Sequence, residues 1–277
     1  MNTTKPLSDQ IAWITGSSRG LGRVMAEHLC QLGAKVAVHG TREQSPRTFE
    51  EGESMQQVAA DIATACGGET LAVWGDVTRE EEVRRVAGEV RDHWGRIDLL
   101  ICCAGGDIGA KGTAAGRAGR PEHDDCLNIA LDDLHSVLDR NLLGTILCCR
   151  ETAPEMIARK SGRIITIGSI AGCYGRPTGA IYCVAKAAVH EYTRCLSQQL
   201  RPHNISVNCV APGPTVSERF VRAEDRDPAK LNATETLERY GRAEEVASLV
   251  GYLCTGAAGF ISGQVIRVDG GGQAFAC

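Results

Sequence analysis

Short apolar runs alternate with amphipathic stretches along the chain. The runs are almost continuously apolar, which is typical of strands that are covered on both faces. Seven strands are predicted on this basis, at residues 11–15, 35–39, 70–77, 98–104, 163–169, 205–211 and 264–269. Helical spacing predicts helices between them, for example at 20–32 and 79–94. Because strands alternate with helices, we expect right-handed crossovers and an α/β fold, a doubly wound parallel sheet of about seven strands with helices on both faces.

Two segments interrupt this alternation. Residues 43–53 are charged and contain Pro46, so they are expected to lengthen the connection after the second strand. Residues 106–120 contain five glycines and follow the fourth strand. We expect them to form a flexible insertion that buries little, near the sheet edge where ligands bind. No linker or repeat divides the chain, so residues 1–277 are predicted to form a single domain.

Composition narrows the class of protein. The chain has 277 residues, 43% of them hydrophobic and 23% charged, with a net charge of −4, which suits one soluble domain. No run of eighteen apolar residues exists, so no membrane span is predicted. The first residues, MNTTKPLSDQ, lack an apolar signal core, which favours a cytoplasmic location. Because Lys and Arg are not clustered, nucleic acid is not expected as a partner.

Thirteen cysteines are present, and neither a CxxC pair nor zinc-finger spacing occurs among them. In a chain without an export signal we expect them to be reduced, small, buried residues. His190 and Glu191 are adjacent, but no second histidine lies at ligand spacing, so no metal site is predicted.

The first predicted strand runs into TGSSRGLG, residues 15–22, and then into a helix. Gly16, Gly20 and Gly22 permit a tight turn, a close approach of backbone to ligand, and close packing of helix on strand. The start of the helix offers unpaired N–H groups and a partial positive charge, which suit a pyrophosphate. A glycine triplet alone is weak evidence, because ordinary turns also use glycine. Between a strand and a helix, it predicts a dinucleotide-binding loop.

A tyrosine and a lysine, Tyr182 and Lys186, lie four residues apart in a helical stretch, so they share one face. Ser169 ends the fifth strand. The end of a strand and the start of the next helix lie at the carboxyl edge of a parallel sheet, so these three side chains can converge there. A free phenol has a pKa near 10, and a nearby ammonium favours the phenolate. A decrease of about three units corresponds to about 4 kcal/mol and would allow proton exchange near neutral pH.

Several motifs together resemble the short-chain dehydrogenase/reductase family over almost the whole chain. The glycines read GxxxGxG, which is similar to the family fingerprint TGxxxGxG, and GDVT (75–78) and PGPTVS (212–217) also fit. CCAG (102–105) stands where the family usually has NNAG, so the amide hydrogen bonds that support the fourth strand are lost. YCVAK (182–186) replaces the usual YxASK. The resemblance implies a Rossmann fold and a nicotinamide cofactor.

The resemblance also implies roles for four side chains. Tyr182 exchanges a proton with the substrate oxygen while hydride passes to or from the nicotinamide ring, and Ser169 hydrogen-bonds the same oxygen. Lys186 holds the nicotinamide ribose, and Asn141 positions a water that links Lys186 to solvent. Each residue alone is more often structural, but four in order behind a matching glycine loop favour an enzyme. The expected substrate is a small carbonyl compound or alcohol.

Further positions are implied to bind the cofactor. The full set is Gly16, Ser18, Arg19, Gly20, Leu21, Gly22, Thr41, Arg42, Asp76, Val77, Cys103, Ala104, Gly105, Tyr182, Lys186, Pro212, Gly213, Thr215 and Ser217. After the second strand, HGTRE has no acid where NAD-dependent members bind the ribose hydroxyls. Arg42 and Arg19 can instead bind a 2′-phosphate in a forked, charge-assisted way. NADP(H) is therefore favoured over NAD(H), although Glu43 lies beside Arg42.

The first hypothesis is an NADP(H)-dependent alcohol dehydrogenase or carbonyl reductase. One alternative enzyme is a 3-oxoacyl-acyl carrier protein reductase, because HGTR and TGSSRGLG look like that subgroup. The alternative that is not an enzyme is a non-catalytic dinucleotide-binding regulator. The resemblance implies a homotetramer or homodimer, built from the helices after strands four and five and from the last strand. Residues 214–240 are expected to form a lid, and their charges favour a polar or anionic substrate.

Overall fold

Seven parallel strands form one sheet in the computed structural model, which describes residues 5–272. The strands are β1 (Ile11–Thr15), β2 (Lys35–Gly40), β3 (Thr70–Trp74), β4 (Leu99–Cys102), β5 (Gly162–Ile167), β6 (Ile205–Pro212) and β7 (Val265–Val268). Their order across the sheet is β3-β2-β1-β4-β5-β6-β7. The predicted fold class is confirmed. Strands β3, β4 and β5 end two or three residues earlier than predicted, because the chain leaves the sheet there to border a cleft, so Ser169 follows β5 instead of ending it.

Helices cover both faces of the sheet. They are α1 (Gly20–Gln31), α2 (Met55–Cys66), α3 (Glu80–Trp94), α4 (Leu131–Leu138), α5 (Gly144–Arg159), α6 (Ala180–Leu200), α7 (Glu218–Ala223), α8 (Pro228–Asn232) and α9 (Ala243–Cys254). Helices α1, α2 and α9 pack on one face, and α3, α5 and α6 on the other. On β1, Ile14 joins the first core and Trp13 the second, because successive residues of a strand point to opposite faces. Within residues 5–272 no helix has the length and apolar character needed to cross a bilayer.

The strand order reverses beside β1, since β2 and β3 lie on one side of it and β4 to β7 on the other. Ile14 is paired with Val38 of β2 and with Ile101 of β4. A crevice opens at such a reversal, outside the carboxyl ends of the strands. The loops after β1, β2 and β4 therefore meet at one place.

A π-helical turn around Asn141 lies between α4 and α5. Helix α4 runs into the turn Asp139–Leu143, and α5 continues directly from it. A π turn contains one residue more than an α-helical turn and often lies at a functional site. Asn141 occupies the middle of this turn and is buried.

The insertion at residues 106–120 is packed against the rest of the chain. Ile108 and Ala118 are buried, and the N–H of Gly109 donates to the carbonyl of Gly119 at 2.9 Å, which closes the loop. The expectation that this segment buries little is wrong. Its two buried apolar side chains turn inward, while its glycines allow the tight turns between them.

Two of the cysteines are bonded to each other. Cys30, near the end of α1, and Cys66, at the end of α2, form a disulfide with their Cα atoms 5.8 Å apart. Cys126 and Cys195 are free and exposed. The expectation of reduced, buried cysteines is therefore wrong for these four residues. Their spacing carries no signal, because the disulfide depends on two helices that lie side by side on the sheet. Cys277 lies outside the described residues.

Candidate active site

A cleft of about 1090 Å³ lies at the carboxyl edge of the sheet. The loops that follow β1, β2, β4, β5 and β6 all contribute to its walls. Every site residue predicted from the sequence lines this cleft except Asn141, which is buried behind the loop after β4. The residues for cofactor binding and those for proton transfer therefore share one cavity.

The glycine loop after β1 has the backbone that its sequence predicts. Gly16 and Gly20 have φ angles of +69° and +53°, in the left-handed region that favours glycine. A Cβ on Gly22 would lie 2.8 Å from the carbonyl carbon of Gly16, and one on Gly16 would lie 2.8 Å from Cα of Ala104. Side chains are thus excluded at Gly16 and Gly22, where the backbone packs closely on Ala104 and on itself.

His39 of β2 supports this loop from below. Its Nδ1 accepts a hydrogen bond from the N–H of Gly16 at 3.2 Å, and its carbonyl accepts one from Ser18 at 3.1 Å. Burial lowers the pKa of His39 to about 4, so the imidazole is neutral and can accept. Sequence reasoning missed this residue, because a histidine at the end of an apolar strand gives no sign of its partner.

A carboxylate occupies the start of α1. Oε2 of Glu51 accepts a hydrogen bond from the N–H of Gly20 at 2.7 Å, and Nη1 of Arg23 donates to the carbonyl of Glu51 at 2.5 Å. The N-terminus of a helix attracts anions through its free N–H groups and its dipole. Glu51 therefore acts as an internal stand-in for a phosphate. It lies in the charged 43–53 segment, which sequence reasoning treated only as a longer connection.

Two guanidinium groups border the same end of the cleft. Arg19 stacks on the ring of Phe49 at 5.1 Å and donates to the carbonyl of Ser45 at 2.5 Å. Arg42 is exposed, and its side chain lines the cleft. A Cβ on Gly40 would lie 2.6 Å from Sδ of Met55, so a side chain at that position of β2 would require Met55 to move.

Thr15 takes over the support that the CCAG motif lacks. Its Oγ1 accepts hydrogen bonds from the N–H groups of Cys103 and Ala104, both at 3.0 Å. A hydroxyl from the end of β1 therefore holds the end of β4, where asparagine side chains are usual in the family motif. The loss of those asparagines removes no anchoring of this loop.

Tyr182 and Lys186 lie on the first two turns of α6 and face the cleft. Nζ of Lys186 is 5.7 Å from the centre of the Tyr182 ring and donates to the carbonyl of Ile167 at 2.7 Å. The lysine is buried, whereas the tyrosine is half-buried. The ammonium group is thus fixed between the end of β5 and the phenol ring.

His190, two turns after Tyr182, supports Ser169. The N–H of Ser169 donates to Nε2 of His190 at 3.4 Å, and Oγ of Ser169 accepts from the N–H of Ala171 at 3.1 Å. The pKa of His190 is lowered to about 4, chiefly by burial and then by the charge of Lys186. Sequence reasoning considered His190 only as a metal ligand. No group of three or more His, Cys, Asp or Glu side chains in the described part of the chain is arranged to hold a metal ion.

The side chain of Asn141 hydrogen-bonds to protein backbone through both Nδ2 and Oδ1. Its Nδ2 donates to the carbonyls of Gly106 and Val137, both at 2.8 Å, and its Oδ1 accepts from the N–H of Gly106 at 2.9 Å. A Cβ on Gly105 would lie 2.5 Å from Oδ1 of Asn141 and 3.6 Å from Nζ of Lys186. The amide therefore holds the loop after β4 against the lysine.

The 214–240 segment contributes to the wall of the cleft and is tied to the insertion. Its two ends meet where the N–H of Gly241 donates to the carbonyl of Pro214 at 2.8 Å. Arg120, at the end of the insertion, forms ion pairs with Asp107, Asp124 and Glu224. Because Glu224 belongs to the 214–240 segment, this ion pair joins the two walls of the cavity.

Comparison with known proteins shows which family the chain is similar to. A family model described as enoyl-(acyl carrier protein) reductase matches residues 16–273. A cyclohexanol dehydrogenase of Rhodococcus sp. (strain TK6) is 34% identical, with 98% of each chain covered. A 3-oxoacyl-[acyl-carrier-protein] reductase of Synechocystis sp. is 35% identical, over 96% of this chain and 97% of that enzyme. The crystal structure of a short-chain type dehydrogenase/reductase from Mycobacterium marinum superimposes with a TM-score of 0.81 at 30% identity, with 97% of both chains covered.

The chain belongs to the short-chain dehydrogenase/reductase family. It is therefore an oxidoreductase, and the resemblance drawn from its motifs is confirmed. As a member of this family it combines the glycine loop and the Ser169, Tyr182 and Lys186 side chains within one cleft.

Replacing Gly22 by alanine tests the glycine loop. We expect Gly22→Ala to weaken binding of NADPH and NADH by at least about tenfold and to destabilise the fold by about 1–3 kcal/mol, because the added Cβ meets the backbone of Gly16. Fluorescence titration and urea unfolding measure the two effects. Gly88→Ala in α3 is the control, since its Cβ meets nothing within 4 Å. Equal cofactor binding in both variants would contradict the loop assignment.

His39 predicts a pH dependence of stability. Its pKa is about 4 in the folded chain and about 6.5 in an unfolded one, so its contribution is complete above pH 6.5 and is lost as the pH falls towards 4. Between pH 7.5 and pH 5 this amounts to about 2 kcal/mol of unfolding free energy. Urea titrations at both pH values should show a smaller decrease for His39→Gln than for the wild type. The exposed His93→Gln variant should keep the full decrease.

Proposed function

We propose that the protein transfers hydride between a nicotinamide cofactor, with NADP(H) favoured, and a secondary alcohol or carbonyl compound. One observation carries this proposal: Ser169, Tyr182 and the buried Lys186 line the same cleft as the glycine loop. The chemical group for proton transfer and the loop for a dinucleotide are thus within one cavity. The Rhodococcus relative is named for the dehydrogenation of a cyclic secondary alcohol, which agrees with this class of substrate.

The residues present fit a dinucleotide. The glycine loop is tightly turned, with no room for a Cβ at Gly22, and the N–H of Gly20 at the start of α1 already binds an anionic group, the carboxylate of Glu51. Gly16, Ser18, Gly20 and Leu21 would hold the pyrophosphate. The adenosine would lie against Thr41, Asp76 and Val77, and the nicotinamide half against the remaining predicted contacts: Cys103, Ala104, Gly105, Pro212, Gly213, Thr215 and Ser217. When bound, the cofactor supplies or accepts the hydride.

Tyr182 moves the proton in this mechanism. In the oxidation direction its oxygen accepts the proton of the substrate hydroxyl as the C–H bond breaks, and in reduction it returns a proton to the carbonyl oxygen. Ser169 donates its hydroxyl proton to the same substrate oxygen and stabilises its charge. The Oγ of Ser169 already accepts from Ala171, so its own hydrogen remains available for the substrate.

The ammonium group of Lys186 faces the ring of Tyr182, 5.7 Å from its centre. Anchored on the carbonyl of Ile167, Lys186 would also hold the nicotinamide ribose of a bound cofactor. Asn141 fixes the loop that lies between Asn141 and Lys186. We propose that Asn141 also orders the water that connects Lys186 to solvent. Its Oδ1 keeps a second lone pair that can accept a hydrogen bond.

The charges at the adenosine end support NADP(H). Arg19 and Arg42 border that end, and β2 ends in Gly40 rather than in an acidic residue. Glu51 is the opposing charge, since it occupies the helix start. The two guanidinium groups at this end outnumber the one carboxylate. This excess of positive charge favours a cofactor with the additional 2′-phosphate.

A second candidate is a 3-oxoacyl-acyl carrier protein reductase, the name carried by the Synechocystis relative. Activity with 3-ketoacyl thioesters, compared with that on cyclic ketones, distinguishes the two candidates. A chain that binds NADPH and reduces neither would be a dinucleotide-binding regulator.

We further propose assembly into a homodimer or homotetramer. Large apolar side chains are exposed on the elements that the sequence assigned to the interfaces, among them Leu143 before α5, Val184 on α6 and Phe260 before β7. Burial of such side chains between subunits would be favourable. The cytoplasmic location stays a prediction.

Replacing Tyr182 by phenylalanine tests the proton transfer. We expect Tyr182→Phe to lower kcat at least about a thousandfold, because no ionisable oxygen remains, while the affinity for NADPH changes less than about threefold. Ketone-dependent oxidation of NADPH, followed by absorbance, measures turnover. Tyr252→Phe on α9 is the control and should retain wild-type turnover. A Tyr182→Phe enzyme with undiminished kcat would disprove the assignment.

Replacing Arg42 by alanine tests the cofactor preference. We expect Arg42→Ala to raise the Kd of NADPH about tenfold and to leave that of NADH unchanged, because only NADPH has the 2′-phosphate. Arg47→Ala, whose side chain is exposed and pairs with Glu53, serves as the control. Titration of both cofactors gives the ratio. An unchanged ratio in Arg42→Ala would mean that the preference is determined elsewhere.

A further inference from the structure

The walls of the cleft carry an excess of cationic side chains. Nine Lys or Arg residues line it, compared with four Asp or Glu residues. Arg120 and Arg226 are paired with carboxylates. Several others have no carboxylate within ion-pairing distance among residues 5–272, namely Arg19, Arg42, Arg140, Arg176 and Arg219. The cofactor phosphates account for the first two, so positive charge remains in the substrate part of the cleft.

Arg219 is the arginine that spans this part. It lies on α7, and its guanidinium reaches across to the insertion, where Nε donates to the carbonyl of Ala118 at 3.2 Å and Nη2 to that of Asp107 at 2.5 Å. Its Nη1 points to the loop after β4, since a Cβ on Gly106 would lie 3.2 Å from it. Both oxygens that accept hydrogen bonds from Arg219 belong to neutral backbone carbonyl groups. The carboxylate of Asp107 is itself bound by Arg120 at 3.0 Å.

Neutral carbonyls orient a guanidinium but do not neutralise it. Burial lowers the pKa of Arg219, and interaction with Tyr182 is the main influence in the opposite direction. The guanidinium is therefore partly desolvated, and it lines the same cleft as Tyr182. The carboxylate of Asp107 acts on Arg219 only from a distance, so a partly buried cation remains without a direct ion pair, and an anionic ligand would reduce the cost of its burial.

We propose that the natural substrate is a hydroxy acid or keto acid whose carboxylate binds Arg219 while its hydroxyl or carbonyl group meets Tyr182. This inference rests on the proposed function and names the substrate class of the same site. Arg219 holds the carboxylate through Nη1, and its two bonds to the insertion keep the guanidinium in place. A fixed guanidinium loses little conformational freedom when it binds a carboxylate, which favours specific recognition.

Matched substrate pairs test the inference: 3-hydroxycyclohexanecarboxylate against cyclohexanol, and 3-hydroxybutanoate against 2-butanol. For the wild type we expect kcat/KM to be at least about tenfold higher for the acid of each pair. Arg219→Met should remove that advantage through a higher KM and change the neutral alcohols less than about threefold. Arg222→Met is the control on the same helix, because its side chain pairs with Glu50 and Glu218 and lies outside the cleft.

A second measurement separates the possible sources of the anion. If Arg219→Met instead weakens NADPH binding and lowers the rates for acids and neutral alcohols equally, Arg219 binds the cofactor pyrophosphate and the inference is wrong. If the wild type shows no advantage for either acid, the inference is also wrong, while oxidation of the neutral alcohols still supports the proposed function. If nothing is turned over, calorimetric titration of the NADPH-loaded protein with each pair decides: preference for the acid, lost in Arg219→Met, supports the inference, and equal or absent binding overturns it.

Discussion

The buried ammonium of Lys186 is the feature on which the rest of the cleft depends. Removing an ammonium group from water costs several kcal/mol unless other groups compensate. No carboxylate lies within 4.0 Å of it among the described residues, and compensation comes from the carbonyl of Ile167 and the face of the Tyr182 ring. These contacts require the end of β5 and the first turns of α6 to keep one relative position. Together they hold the side chain of Lys186 against the face of the Tyr182 ring.

The other parts of the cleft are supported by neighbouring strands rather than by their own loops. His39 of β2 holds the glycine loop after β1, and Thr15 of β1 holds the loop after β4. Asn141 fixes the same β4 loop from the opposite side. Since parallel strands end at one edge, each loop lies beside a strand end that can donate to it or accept from it. The loops around the cleft are thus held by hydrogen bonds from their backbone to buried side chains. These bonds make the site rigid although it is built from loops.

The fold and the main side chains of the site could be predicted from the sequence, because each leaves a local signal. Strands such as 11–15 are apolar throughout since both faces are covered, and the spacing of Tyr182 and Lys186 is one helical turn. Contacts between residues that are far apart in the sequence leave no such local signal. The carboxylate of Glu51 reaches Gly20 across 31 positions, and Cys30 reaches Cys66 across 36. The packed insertion was misjudged for the same reason, because its glycines indicate turns but not what the turns enclose.

The π turn at Asp139–Leu143 has an effect beyond the placement of Asn141. One additional residue rotates everything that follows by about 100° around the helix axis. The side-chain stripes of α4 and α5 are therefore out of phase, so α5 can cover the sheet while α4 faces another way. Deleting a single residue from the π turn would restore a regular α-helix. It would also turn the packed side chains of either α4 or α5 away from the surface that they contact. Homologous chains should consequently tolerate changes of residue type at the positions of this turn other than Asn141 far better than changes of its length.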